Sequence, residues 1–130
     1  MGQAWGRILI VDDQPALLRM MSLYLTRLGF TVATAGTTEA AWAQVEADPR
    51  GVDVVVLDAT MPGLSMHDLA VRILQANPKL RVLGASGYPV DMAAVEATAP
   101  GRVAFLHKPF APEMLAAALR SLLDAQKENL

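Results

Sequence analysis

The sequence contains no cysteine, which excludes a disulfide-stapled scaffold and any thiolate zinc site and fits a reducing compartment. It also lacks a basic excess. Its 11 Lys and Arg against 13 Asp and Glu leave a formal net charge of -2, so no nucleic-acid surface is expected, because such a surface needs positive charge to displace phosphate counterions. Long apolar runs are missing too. The longest stretch without a formal charge is the eleven residues 28–38, whereas a bilayer-spanning helix needs about 20 apolar residues. The start, Met1 to Gly6, has no apolar core behind a basic flank and is not read as a secretion signal. What remains is 130 residues, 53% apolar and 18% charged. That length suits one domain over 1–130 that buries roughly two thirds of its unfolded surface and leaves no room for a second. A soluble, cytoplasmic domain with no membrane contact is expected.

Hydrophobic periodicity gives five short β-branched runs alternating with five helical patterns. The runs are Arg7 to Val11, Phe30 to Thr34, Asp53 to Leu57, Leu80 to Leu83 and Val103 to Leu106. Most are nearly continuous apolar stretches, which suits strands of a parallel sheet covered on both faces. Helices are predicted from about Pro15 to Leu28, Thr38 to Ala47, Met66 to Ala76, Val90 to Thr98, and from Pro112 onward. The first repeats Leu17, Met21, Leu25 and Leu28 and stops at Gly29. The second and third are halted by Asp48-Pro49 and Asn77-Pro78. Ser65 followed by Asp68 resembles a capping box. Strict alternation predicts right-handed crossovers and an α/β doubly wound, five-stranded parallel sheet with five helices, with a core at about 7–124.

In such sheets ligands bind beyond the carboxyl ends of the strands. Those ends carry Asp12 and Asp13, Asp58, Ser86, and His107-Lys108-Pro109. Each has a bland alternative: Asp13 could cap the first helix, Asp58 could begin a turn, Ser86 could be an ordinary loop serine and Lys108 a solvated charge. Together they form one rim. Three converging carboxylates repel and need counter-charge. Lys108 supplies part of it, and a hard divalent cation such as Mg2+, which prefers carboxylate oxygens, supplies the rest. Asp58 could then act as nucleophile toward a phosphoryl group, with Ser86 donating to a transferred oxygen.

These residues resemble the receiver domains of two-component response regulators, which have a flavodoxin-like sheet of order 2-1-3-4-5. Ile8 to Asp13 resembles the family's acid-pair strand, Val54 to Pro62 its phosphoacceptor strand and following Asp-x-x-Met-Pro, Val82 to Tyr88 its hydroxyl-bearing strand end, and Phe105 to Phe110 its Lys-Pro segment. The resemblance implies that Asp58 is phosphorylated and that Asp12, Asp13, Asp58 and the Thr60 carbonyl hold Mg2+. It further implies that Ser86 and Phe105 are the switch pair, that Lys108 bridges acid and phosphate, and that the Lys108-Pro109 peptide is cis. The implied donor is a histidine kinase or histidine phosphotransfer protein. A homodimer or output partner would use the face of the fourth helix, fifth strand and fifth helix.

The sequence departs from the family at Met66, where receivers usually carry Gly. If that position needs a positive φ, Met66 imposes strain or moves the loop; if Ser65 is the N-cap, Met66 is the first helical residue and fits. Phe105 lacks the hydroxyl of receivers with tyrosine there. His67 and His107 lack metal-ligand spacing, and the seven methionines are read as core filling. With Asp91 and Glu96 as its only charges, the fourth helix around Met92 to Val95 could expose an apolar patch. A phosphohydrolase generally has another acid where Thr60 stands, and a flavodoxin-like cofactor binder would not place Asp12 and Asp13 after the first strand. The remaining alternative is a receiver-shaped scaffold that takes no phosphate. No independent enzymatic turnover is expected. Asp124 to Leu130 reads as a short tail, and the chain as a free-standing protein or a receiver of a longer hybrid kinase.

Overall fold

The computed structural model describes residues 6–58, 65–87 and 93–128. In chain order the elements are β1 (Arg7–Val11), α1 (Pro15–Arg27), β2 (Thr31–Ala35), α2 (Thr38–Ala47), β3 (Val54–Asp58), α3 (Met66–Ala76), β4 (Arg81–Ser86), α4 (Ala93–Thr98), β5 (Val103–His107) and α5 (Pro112–Glu128). All strand pairs are parallel, in the order β2-β1-β3-β4-β5. The expected fold class and strand order are therefore observed. β1 has the expected bounds, β2 and β3 each lie one residue later than expected, β4 starts one residue later and runs on to Ser86, and β5 starts as expected and gains His107.

Residue alternation along the central strands explains their unbroken hydrophobicity. Leu9, Val11, Val55, Leu57 and Val82 join one cluster with Ala41 and Val45 of α2, Leu69 and Ile73 of α3 and Val95 of α4. Their neighbours Ile8, Ile10, Val54, Val56 and Leu83 join the other, with Met21 and Leu25 of α1 and Leu115 and Leu119 of α5. Both faces of the strands are covered, so Ile8 to Val11 and Val54 to Leu57 are apolar without a break. The helices are not equally docked. Among described side chains, α4 and the residue after it supply only Val95 and Ala99 to the core, against Leu69, Ala70, Ile73 and Leu74 from α3. At about 1.5–3 kcal/mol per fully buried aliphatic side chain, the described side chains of α4 contribute less burial than those of α3.

Local signals place the helix ends. Thr37 caps α2 through the Ala40 N–H. Ser65 is extended, with φ -62° and ψ 153°, and its hydroxyl accepts from the Asp68 N–H at 3.1 Å. Met66 is therefore the first residue of α3 and is buried in the core, and no described non-glycine residue has a positive φ. Of the two readings of Met66, the unstrained one holds. Gly29, with φ 105°, ends α1 as expected.

At the base of the sheet, the third helix stops where Pro78 follows Asn77. Leu74 would normally receive a hydrogen bond from residue 78, but proline has no N–H. Arg102 takes that place: its Nη2 donates to the carbonyls of Leu74 (3.0 Å) and Asn77 (2.7 Å), and its Nε to that of Leu80 (2.8 Å). Burial lowers the pKa of Arg102, and the neighbouring Arg81 charge adds to the shift.

Several side expectations are corrected. Asp124 to Glu128 continues α5 and is not a tail. Met20 and Met114 are 49% and 50% exposed, so they do not fill the core. Met20 and its neighbour on the same face, Leu23 (55% exposed), lie off the Leu17–Met21–Leu25–Leu28 line that α1 turns inward. Val95 is fully buried and cannot belong to an exposed α4 patch, while Met92 lies outside the described residues.

Candidate functional site

The order β2-β1-β3-β4-β5 reverses direction between β1 and β3, which is where a doubly wound sheet opens a crevice at its carboxyl edge. Val11 pairs with Leu57, so Asp12 follows β1 directly beside Asp58 at the end of β3. Asp58 in turn pairs with Ala85, one residue before Ser86, and Ser86 pairs with His107, one residue before Lys108. Parallel register thus brings four distant segments to one rim.

The geometry there is specific. Oxygen atoms of Asp12, Asp13 and Asp58 lie within 4.8 Å of one another. Lys108 Nζ lies between two of them, 3.5 Å from Asp12 Oδ2 and 3.3 Å from Asp58 Oδ2. Asp12 and Asp58 are 2% and 7% exposed, whereas Asp13 is open to solvent. The backbone anchors the first acid: the Asp12 N–H donates to the Ala35 carbonyl at 3.1 Å, and the Gln14 N–H donates to Asp12 Oδ1 at 2.9 Å. Lys108 is anchored by its own N–H, which donates to the Ser86 carbonyl at 2.7 Å. The Lys108-Pro109 peptide is cis, as the resemblance implied. Ser86 is fully buried and Phe105 half-buried. The α1 N-cap is Gln14, with no side-chain cap bond, so Asp13 is not a helix cap and its carboxylate is left for the rim. Thr60 lies outside the described residues. His67 and His107 are exposed.

Among the described residues, three carboxylates face one ammonium, an excess of negative charge at the rim. All-oxygen donors of this charge suit one hard divalent cation, with Asp12, Asp13 and Asp58 to hold it. Burial raises the Asp12 pKa above its ordinary value; the Gln14 N–H and Lys108 oppose that rise and the Asp58 charge adds to it. Folded Asp12 therefore binds its proton more tightly than unfolded Asp12. The stability tied to protonated Asp12 is complete below the unfolded pKa and is lost as pH rises through the folded one. Without divalent cations, Asp12→Asn should be more stable than wild type at neutral pH in urea melts. The gap should narrow as pH falls; a gap independent of pH would contradict this origin.

The sequence identified the side chains of the rim but not the Gln14 N–H, which carries no residue-type signal. It also missed a groove of about 470 Å³ beside Lys108, lined by Gln14, Leu17, Met20, Gly87, Pro109 and Phe110 among others. The sign that could have found it is apolar Met20 on the outward face of an otherwise amphipathic α1.

Residues 8–120 match the family described as response regulator receiver domain. The chain is 33% identical over 118 residues to the DNA-binding transcriptional regulator NtrC of Azospirillum brasilense, covering 91% of this chain and 24% of that protein. It is 30% identical over 118 residues to the chemotaxis protein CheY of Thermotoga maritima, covering 89% of this chain and 96% of that one. A solved response regulator receiver domain protein from Clostridium thermocellum superposes with a TM-score of 0.83 at 26% identity, over 96% of this chain and 99% of the other. The chain spans less than half the length of NtrC and of the regulator TcrX of Mycobacterium tuberculosis. The acid-lined switch point between β1 and β3, the lysine that spans it and the family match over 8–120 lead to one assignment: this chain belongs to the response regulator receiver domains of two-component systems.

Proposed function

We propose that the domain accepts a phosphoryl group on Asp58 from a phosphohistidine of a histidine kinase or histidine phosphotransfer protein, in a Mg2+-dependent reaction in the cytoplasm. The observation that carries this reading is Lys108 Nζ bridging Asp12 and Asp58 within a cluster of three carboxylates. In the transfer, an Asp58 carboxylate oxygen forms the new bond to phosphorus while the bond from phosphorus to the donor imidazole nitrogen breaks, and the imidazole leaves with the electron pair. Charge is spread over the three non-bridging oxygens. Lys108, 3.3 Å from the acceptor carboxylate, is in reach of one of them. Mg2+, when bound by Asp12, Asp13 and Asp58, would neutralise the others. The domain promotes its own modification and turns over no separate substrate.

The added charge supplies a switch. Ser86 would turn its hydroxyl toward a phosphoryl oxygen, and Phe105 would turn inward. Gly84 pairs with Phe105 across β4 and β5 and carries no side chain of its own to fill that face. The α4, β5 and α5 surface then changes for a second copy or an output partner. The donor must reach the open side of the rim, and the apolar groove beside Lys108, with exposed Met20 at its edge, lies on that side.

The reading is tested by incubating the chain with acetyl phosphate, with and without Mg2+, and weighing it intact. One added phosphoryl group, dependent on Mg2+, is expected; no adduct on folded protein would favour a scaffold that takes no phosphate. Because Asp13 is exposed, Asp13→Asn removes a ligand without disturbing the core. Calorimetric titration should show its Mg2+ affinity reduced by at least about tenfold, since affinity follows the number of charged ligands.

A further inference from the structure

Gln14 occupies the N-cap of α1 without acting as a cap. Capping residues are usually Ser, Thr, Asp or Asn, whose short side chains reach the free N–H groups of the first turn, and the Gln14 side chain makes no such bond. Its backbone, by contrast, is fixed on both sides. The N–H donates to Asp12 Oδ1 at 2.9 Å, the carbonyl accepts from the Leu18 N–H at 3.1 Å, and Pro15 follows directly. A locked backbone thus carries an exposed amide that no hydrogen bond holds among the described residues.

That amide stands beside the acceptor. Oxygens of Asp12, Asp13 and Asp58 lie within 4.8 Å of one another, and Gln14 N is 2.9 Å from Asp12 Oδ1. A glutamine side chain reaches about 5 Å from its Cα, enough to span the distance to a group built out from Asp58. The space around it is open: Gln14, Gly87 and Lys108 line the same groove of about 470 Å³, and a Cβ at Gly87 would meet nothing within 4 Å. An acyl phosphate on Asp58 is lost when water attacks phosphorus in line with the Asp58 oxygen. A carboxamide can hold both reactants, its oxygen accepting from the water and its NH2 donating to a phosphoryl oxygen. A carboxylate in its place would add a fourth negative charge to the rim.

We propose that the Gln14 side chain orients the hydrolytic water and so sets how long the phosphoryl group persists on Asp58. In this step the water oxygen bonds to phosphorus while the bond from phosphorus to the Asp58 oxygen breaks. The Asp58 oxygen keeps the electron pair, a water proton passes to solvent through the groove, and inorganic phosphate leaves. Gln14 gains and loses no proton; it holds the attacking geometry. The inference rests on Asp58 being the phosphoacceptor, and its test reports on the two claims separately.

Wild type, Gln14→Ala and Gln14→Met are loaded with acetyl phosphate and saturating Mg2+, desalted rapidly into the same Mg2+ buffer, and followed by intact mass. Decay is read only on chains that carry the adduct, so it does not depend on how fast each variant loads. Both variants keep the backbone N–H that holds Asp12. Decay in Gln14→Ala should be about tenfold slower than in the wild type, the worth of one well-placed hydrogen bond in a transition state. Gln14→Met, similar in length but without the amide, should be slow to the same degree. Unchanged or faster decay in Gln14→Ala would overturn the proposal, the faster case meaning that the side chain shields the phosphoryl group. Wild-type decay in Gln14→Met would overturn it too, by showing that bulk alone matters. So would slow decay matched by a loss of Mg2+ affinity in calorimetric titration, since the effect would then run through Asp12. Each of these leaves Asp58 as the acceptor, whereas no adduct on the wild type would overturn both claims.

Discussion

Asp58→Asn is expected to take up no phosphoryl group from acetyl phosphate and Mg2+ under conditions in which the wild-type chain gains one. The amide has the shape of the carboxylate and occupies the same buried place at the end of β3, where Asp58 is 7% exposed. What it loses is the anionic oxygen that would attack phosphorus in the proposed transfer, and the charge that Lys108 Nζ approaches at 3.3 Å. The fold should survive, because the packing of β3 depends on Val54 to Leu57. Intact mass reads the outcome and circular dichroism checks the fold. An adduct persisting on Asp58→Asn would place the acceptor elsewhere, with Asp12 and Asp13 the next acids on the rim.

The largest expected effect on stability lies at the opposite end of the sheet. Arg102→Ala removes three hydrogen bonds from a charged donor; the Asn77 carbonyl keeps the Leu80 N–H, while the carbonyls of Leu74 and Leu80 lose the Arg102 donor. For Leu74 the usual partner is absent by sequence, since residue 78 is proline. With about 1.5–3 kcal/mol for a bond to a charged group, reduced where water can replace it, the loss should be about 2–4 kcal/mol. The melting temperature should fall by on the order of 10 °C. Arg102→Lys should recover only part, because one ammonium cannot reproduce the planar fork. Phosphoryl uptake should be unchanged once the protein is folded. A loss below about 1 kcal/mol would mean that water satisfies these carbonyls.

Much of this was legible in the residues because it is local. The alternation of apolar runs with caps and stops at Thr37, Ser65, Gly29 and Pro78 fixes the order of β and α elements, and hence which acids end which strands. A strand end recognised from its own residues needs no knowledge of its neighbours. The doubt at Met66 was of the same kind, and it was decided by a local bond, the Ser65 hydroxyl accepting from the Asp68 N–H.

Other features belong to the pairing of distant segments, and no local pattern reports them. The register that sets Asp12 beside Asp58 and carries Lys108 to both acids is one. Another is the Gln14 N–H that holds Asp12, since a backbone donor has no residue type. The outward turn of Met20 depends on which face of α1 meets the sheet. The bonds of Arg81 to the Gly101 carbonyl and of Arg102 to the end of α3 each span 20 or more positions, and no local pattern marks either side chain. The sequence by itself therefore determined the fold class and the identities of the rim residues, which follow from periodicity and strand-end chemistry. Only the tertiary structure decided which charges face one another, which are buried and what satisfies the end of α3, because those depend on long-range register and on what each side chain meets once the layers close.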